Sequence, residues 1–186
     1  MHFRTLASLA AAAAILLGAI STAADQKDPR LDPLFQQLQA SAGLQEAQLL
    51  EAQIWLIWTE AKDGPTDTLM QLGLAAMQSG NLAGALELFD AVTMQKPDFS
   101  EGWNKRATVL YMLGAYDRSA EDVGKVLELE PRHFGALAGL GLINTELDKT
   151  DEAIDAFERA LKIHPHLPGV KQRLEALKKK KRDGAI

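Results

Sequence analysis

Three prolines spaced 34 residues apart, Pro97, Pro131 and Pro165, set the frame of this chain. Shifting the sequence against itself by 34 also aligns Gly73 with Ala107 and Gly141, and Leu69 with Trp103 and Leu137. Phe89, Val123 and Phe157 coincide, as do Val92, Val126 and Ala160, while Gly80 and Gly114 fall on Asp148 in the third copy. A unit of this length holds two helices, and one unit alone cannot cover its apolar face. Consecutive units must therefore stack.

Within each unit, apolar residues return at three- and four-residue steps, which predicts two amphipathic helices. The first spans 67–79, 101–113 and 135–147 in successive units; the second spans 82–95, 116–130 and 151–164. Gly80 and Gly114 supply the turn between them, because glycine tolerates the left-handed conformation that ends a helix. The prolines stop the second helix. The stretch GALAGLG at 135–141 has the composition of a phosphate loop. Such a loop needs a preceding strand and a helix starting at its glycines. Here a helix end precedes Gly135, and Gly139 and Gly141 lie inside the next helix. Gly73, Ala107 and Gly141 are mid-helix, where glycine costs ~1 kcal/mol relative to alanine, so a close crossing of the partner helix is expected there.

These residues resemble the tetratricopeptide repeat family, whose pattern places large apolar, small and proline residues at fixed positions. The first unit, 66–99, carries Leu69, Leu72, Gly73, Ala76, Gly80, Ala85, Phe89, Val92 and Pro97. The second, 100–133, carries Trp103, Ala107, Leu110, Ser119, Val123, Val126 and Pro131. The third, 134–167, carries Leu137, Leu140, Gly141, Ala153, Phe157, Ala160 and Pro165. Arg106 stands where the pattern has leucine, Asn144 is polar at an apolar position, and Val92 is large at a small one. The resemblance implies an all-α fold, a right-handed superhelix of helix-turn-helix hairpins closed by a C-terminal capping helix.

The flanks depart from the rhythm. Residues 1–24 read as a secretory signal peptide: a basic start, an apolar run of about 15 residues and small residues before Asp25. Cleavage is expected after Ala23 or Ala24, with Ala24 favoured. An uncleaved anchor is the alternative, although a spanning helix needs ~20 apolar residues. The chain contains no cysteine, which excludes a lipoprotein anchor, thiolate zinc sites and cysteine nucleophiles. Residues 25–31 read as a linker and 32–63 as a divergent N-terminal hairpin, with Asp32-Pro33 as a helix start. Trp55 and Trp58 are expected to pack on the first repeat, an exposed binding anchor being the alternative. Residues 168–182 form a capping helix striped by Val170, Leu174 and Leu177, with a basic tail to 186. The tail residues Lys178, Lys179, Lys180, Lys181 and Arg182 could contact an anionic lipid or polymer surface; a solvated, frayed tail is the plainer reading.

Signs of catalysis are sparse. No G-x-S-x-G, H-E-x-x-H or dinucleotide fingerprint occurs. His133, His164 and His166 fall in the connections between units and read as surface or turn histidines, not as a metal site. No broad basic field covers the body, which argues against nucleic acid. The chain is therefore expected to be no enzyme and to hold no cofactor or metal. In the family the resemblance points to, a concave groove binds peptides or partner helices. Carried over position by position, its lining is Asp67, Met70, Leu74 and Met77 in the first unit. The second unit gives Glu101, Asn104, Thr108 and Tyr111, and the third gives Gly135, Ala138, Leu142 and Thr145. The residues suit an adaptable apolar or helical ligand. The resemblance extends to small periplasmic proteins of this family in Alphaproteobacteria, and it implies an exported adaptor for a protein or peptide partner in cell-envelope assembly or integrity. Two other classes stay open: a protein held at an envelope surface by its basic tail, and an accessory subunit of an enzyme complex.

Overall fold

The computed structural model describes residues 25–184, so the signal-peptide reading of residues 1–24 lies outside the described residues. A 3-10 turn at Asp25–Lys27 is followed by nine helices and, among the described residues, no strand. The N-terminal hairpin is α1 (Leu31–Ala40) and α2 (Leu44–Thr59). Three hairpins follow: α3 (Gly64–Gln78) with α4 (Leu82–Gln95), α5 (Ser100–Met112) with α6 (Tyr116–Leu129), and α7 (Phe134–Glu146) with α8 (Thr150–Ile163). The last helix, α9 (Val170–Asp183), packs on α8. Between hairpins, α4 packs on α5 and α6 on α7, which gives the solenoid stacking the repeat requires.

The predicted close crossings are present. A Cβ built on Gly73 would stand 2.6 Å from Cε1 of Phe89, and one on Gly141 would run into the ring of Phe157. Where the facing aromatic is replaced by the smaller Val123, the crossing position carries Ala107, and both side chains are buried in one cluster. Side-chain volume is thus exchanged across the helix pair, as dense packing demands. The turn positions Gly80 and Gly114 have φ of 79° and 74°, and Asp148 takes the same left-handed conformation at 55°.

Arg106, which stands where the pattern has leucine, makes polar contacts that a leucine could not. Its guanidinium donates to both carboxylate oxygens of Asp122 at 2.6 and 2.7 Å, to Asp90 at 2.8 Å and to Thr93 at 3.0 Å. The carboxylates, Asp122 first, hold the guanidinium pKa above its ordinary value. An ion network therefore joins the first two repeats where the third uses Leu140.

The N-terminal segment differs most from expectation. Trp55 and Trp58 do not pack on the first repeat. Trp58 is buried against His133 and Phe134, at the junction of the second and third repeats, and Trp55 meets the same two rings edge-on. The hairpin lies along the row of inter-repeat connections and touches all three. At the first, Gln26 donates to the carbonyl of Asp98, and Lys96 to that of Ala61. At the second, Arg132 pairs with Asp32 at 2.7 Å and covers the Phe35 ring. At the third, His166 donates to the carbonyl of Ser41, and His164 to Glu51 at 3.1 Å. The segment at 25–31 is accordingly docked at Gln26 and not a free linker. His133 and His164 are fully buried instead of surface residues, because the hairpin covers the connections that carry them. Helix α1 starts one residue before Asp32, which lies in the first turn, where a carboxylate still suits the helix dipole.

Candidate functional site

The first helices of the second and third repeats, α5 and α7, carry a cleft on the predicted groove. It has a volume of about 220 Å³, and Asn104, Thr108, Tyr111, Gly135, Ala138 and Leu142 of the predicted lining all border it. Gly139 borders it too, and a Cβ there would meet nothing within 4 Å. The small residues of α7 thus leave an apolar notch facing α5, with Ala107, Val123 and Ile143 also on its wall.

The polar end of the cleft is held by a buried cluster. Glu101 is completely buried, with Oε1 2.7 Å from His133 Nε2 and Oε2 3.1 Å from Lys105 Nζ. His133 Nδ1 accepts from the backbone N–H of Ala136, so the ring proton sits on Nε2 and is donated to Glu101. Burial alone pushes the Glu101 carboxyl up; the Lys105 charge and the His133 hydrogen bond outweigh it and bring the value down to about 2. The amide of Asn104 is oriented by the same carboxylate. A carboxylate only accepts, so Nδ2 must face Glu101 Oε1, at 2.9 Å. Among the described residues nothing donates to Asn104 Oδ1, although the side chain is only 8% exposed and borders the cleft. At the opposite end Tyr111 donates to Glu146 at 3.4 Å, and partial burial followed by the Glu146 charge raises its pKa.

The remaining predicted residues are distributed differently. Glu101 is under the N-terminal hairpin, where Lys105 sits 5.1 Å from the centre of the Trp55 ring, so it supports the cleft without lining it. Met70 is only 4% exposed; with Asp67 and Leu74 it borders a wider hollow of about 570 Å³ next to the end of α2. Asp67 also accepts from the backbone N–H of Ala61, which ties the hairpin exit to α3. Met77 is half-buried in the first-repeat core, and Thr145 is exposed, donating to the carbonyl of Gly141. The basic tail is helical through Asp183 instead of frayed. Lys178, Lys180 and Lys181 pair with Glu158, Asp148 and Asp151, while Lys179 and Arg182 make no ion pair among the described residues. The sequence alone did not reveal the Glu101–His133 pair. A histidine closing the second unit, 32 residues after a glutamate at the head of the same unit, was the available signal.

A family model for the tetratricopeptide repeat matches residues 70–126 and 116–168. The chain belongs to the tetratricopeptide repeat family. A TPR repeat-containing protein of Rhizobium etli is 36% identical to it over 136 residues, which cover 73% of this chain and 67% of that protein. DnaJ homolog subfamily C member 3 of Homo sapiens is 32% identical over 96 residues, 52% of this chain and 19% of that protein. Among solved structures, the Sgt2 TPR domain of Aspergillus fumigatus shares the fold at a TM-score of 0.63 and 22% identity, covering 66% of this chain and 83% of that domain. The type III secretion chaperone SycD of Yersinia enterocolitica, in complex with a peptide of the translocator YopD, gives 0.61 and 18%, covering 64% and 96%. Tetratricopeptide repeats are a protein-interaction fold, and the groove of this member is the face that its first helices shape.

Proposed function

We propose that this chain is a non-catalytic adaptor that binds a peptide or a partner helix in the cleft between α5 and α7. The observation that carries the reading is the unshared acceptor Asn104 Oδ1 beside the apolar notch at Gly139. An acceptor that borders the cleft can take a hydrogen bond from a backbone N–H of a ligand, and the notch next to it accepts one apolar side chain of that ligand. SycD holding a peptide of its translocator is a precedent for a peptide on this fold. Selection from a random peptide library tests the reading. Gly139→Leu fills the notch with no clash at its Cβ, and the selected peptides should lose at least ten-fold in affinity for it. Unchanged affinity in a folded Gly139→Leu variant removes the cleft as the site.

The adaptor is proposed to act outside the cytoplasm, in the periplasm, in cell-envelope assembly or integrity. The basic start, apolar run and small residues of 1–24 support export. The mass of the protein recovered from the periplasmic fraction tests this point: a chain beginning at Asp25 is expected, and retention in the cytoplasm with residues 1–24 intact contradicts it.

A further inference from the structure

The outward face of α2 is a second surface, separate from the groove. Leu49 and Leu56 are 65% and 62% exposed, and Ala52 and Gln53 lie exposed between them. These four residues occupy steps i, i+3, i+4 and i+7, so they form one continuous stripe along the helix. The exposed positions from Gln48 to Thr59 carry no charge, although the whole chain has a net charge of −5. A surface helix is normally polar on its outer side, whereas this one lines up two exposed leucines and an alanine among uncharged glutamines. Beside Leu56 a hollow of about 340 Å³ opens between α1 and α2, bordered by Pro33, Leu34 and Ile57 and rimmed by Arg30, Gln37 and Gln53. The stripe thus carries a protruding leucine at one end and a hollow at the other.

We infer that this face pairs two copies of the chain, α2 antiparallel to α2, about a two-fold axis between Ala52 and Gln53. A two-fold contact is self-complementary: if residue i meets residue j, then j meets i. Antiparallel pairing at this register puts Leu49 of each copy against Leu56 and its hollow in the other, twice over. Ala52, small and at the axis, lets the helices approach. At the ends, Glu60 comes opposite Gln45 of the second copy, and Glu46 opposite Thr59. No like charges face each other in this pairing, so two acidic copies meet through an uncharged stripe. The contact is small. A helix of 16 residues is ~24 Å long, and its footprint falls short of the ~800 Å² per partner of a standard interface. A reversible dimer of micromolar affinity is the expected result.

Sedimentation velocity over a range of about 5–200 μM, with Gln53→Cys cross-linking as a second readout, tests the pairing. The wild-type protein should shift from monomer to dimer across the range, and Leu49→Glu/Leu56→Glu should weaken the shift at least ten-fold while keeping its helical circular dichroism. The chain is free of cysteine, so single cysteines report cleanly. Gln53→Cys, at the axis, should form an intermolecular disulfide much faster than Gln95→Cys on α4, and this comparison decides the matter should the double variant misfold. A wild-type protein that remains monomeric throughout overturns the pairing. So does a dimer indifferent to the glutamates, or a Gln53→Cys protein that cross-links no faster than the Gln95→Cys control.

Discussion

Trp58 stacks on His133 with ring centroids 4.1 Å apart and planes 11° from parallel. The contact joins the N-terminal hairpin to the junction of the second and third repeats, 75 residues away along the chain, and it sits directly over the Glu101 cluster that orients Asn104. The hairpin is therefore a brace along the edge of the solenoid, and the shape of the cleft depends on it.

Trp58→Ala should destabilise the protein by ~3–5 kcal/mol, the usual cost of emptying a buried large aromatic site. Trp58→Phe should cost less, because the indole N–H is buried with no acceptor among the described residues and phenylalanine removes that unpaired donor. Urea unfolding of the three proteins at neutral pH measures both differences.

Acid should weaken the fold through Glu101. Its folded value of about 2 lies below the ordinary 4.5. A depressed carboxyl pKa contributes stability in full above the ordinary value and loses it as pH falls toward the folded one. The unfolding free energy should therefore drop between pH 4.5 and 2, and the drop should be smaller in Glu101→Gln. Denaturant titrations at several pH values in that window check the slope.

Arg106→Leu restores the residue type of the other two repeats yet should destabilise by ~3–5 kcal/mol, because it strands the buried Asp122 without its cation. Arg106→Leu/Asp122→Leu should recover most of that loss. A double-mutant cycle on thermal or urea unfolding gives the coupling directly.

Two glycines of the same helix should respond in opposite directions to alanine. At Gly139 a methyl group meets open space, so Gly139→Ala should stabilise by ~0.5–1 kcal/mol through helix propensity. At Gly141 it meets the Phe157 ring, and Gly141→Ala should destabilise. Asp148→Gly should add ~1 kcal/mol by relieving the left-handed backbone of a side-chain-bearing residue. Thermal midpoints of the three variants test the set.

The repeat was legible because every unit repeats the same local demands: a small residue facing a larger apolar one, a left-handed residue at the turn, a proline at the stop. Helix ends in the three repeats follow directly from those residues, to within three positions. The path of α1 and α2 was not legible. Its contacts with the inter-repeat connections pair residues 35 to 125 positions apart, and hydrophobic periodicity says which face of a helix is buried, never against what. Trp58 could be recognised as core, but its partner His133 looked like a turn residue until the hairpin covered it. Asn104, Thr108, Tyr111, Gly135, Ala138 and Leu142 border one cleft because the repeating units put them on a shared face of α5 and α7. Glu101 shares that face too, and the hairpin removes it from access.

The central claim is that a protein partner occupies the cleft between α5 and α7, and photo-cross-linking inside living cells tests it most directly. A photoreactive amino acid at Thr108, exposed on the cleft border, should yield a discrete adduct with another protein. The same probe at Met94 on α4, which is 82% exposed and off the cleft, should not, and Gly139→Leu should abolish the Thr108 adduct. Equal adducts from Thr108 and Met94, or a Thr108 adduct that survives Gly139→Leu, contradict the account.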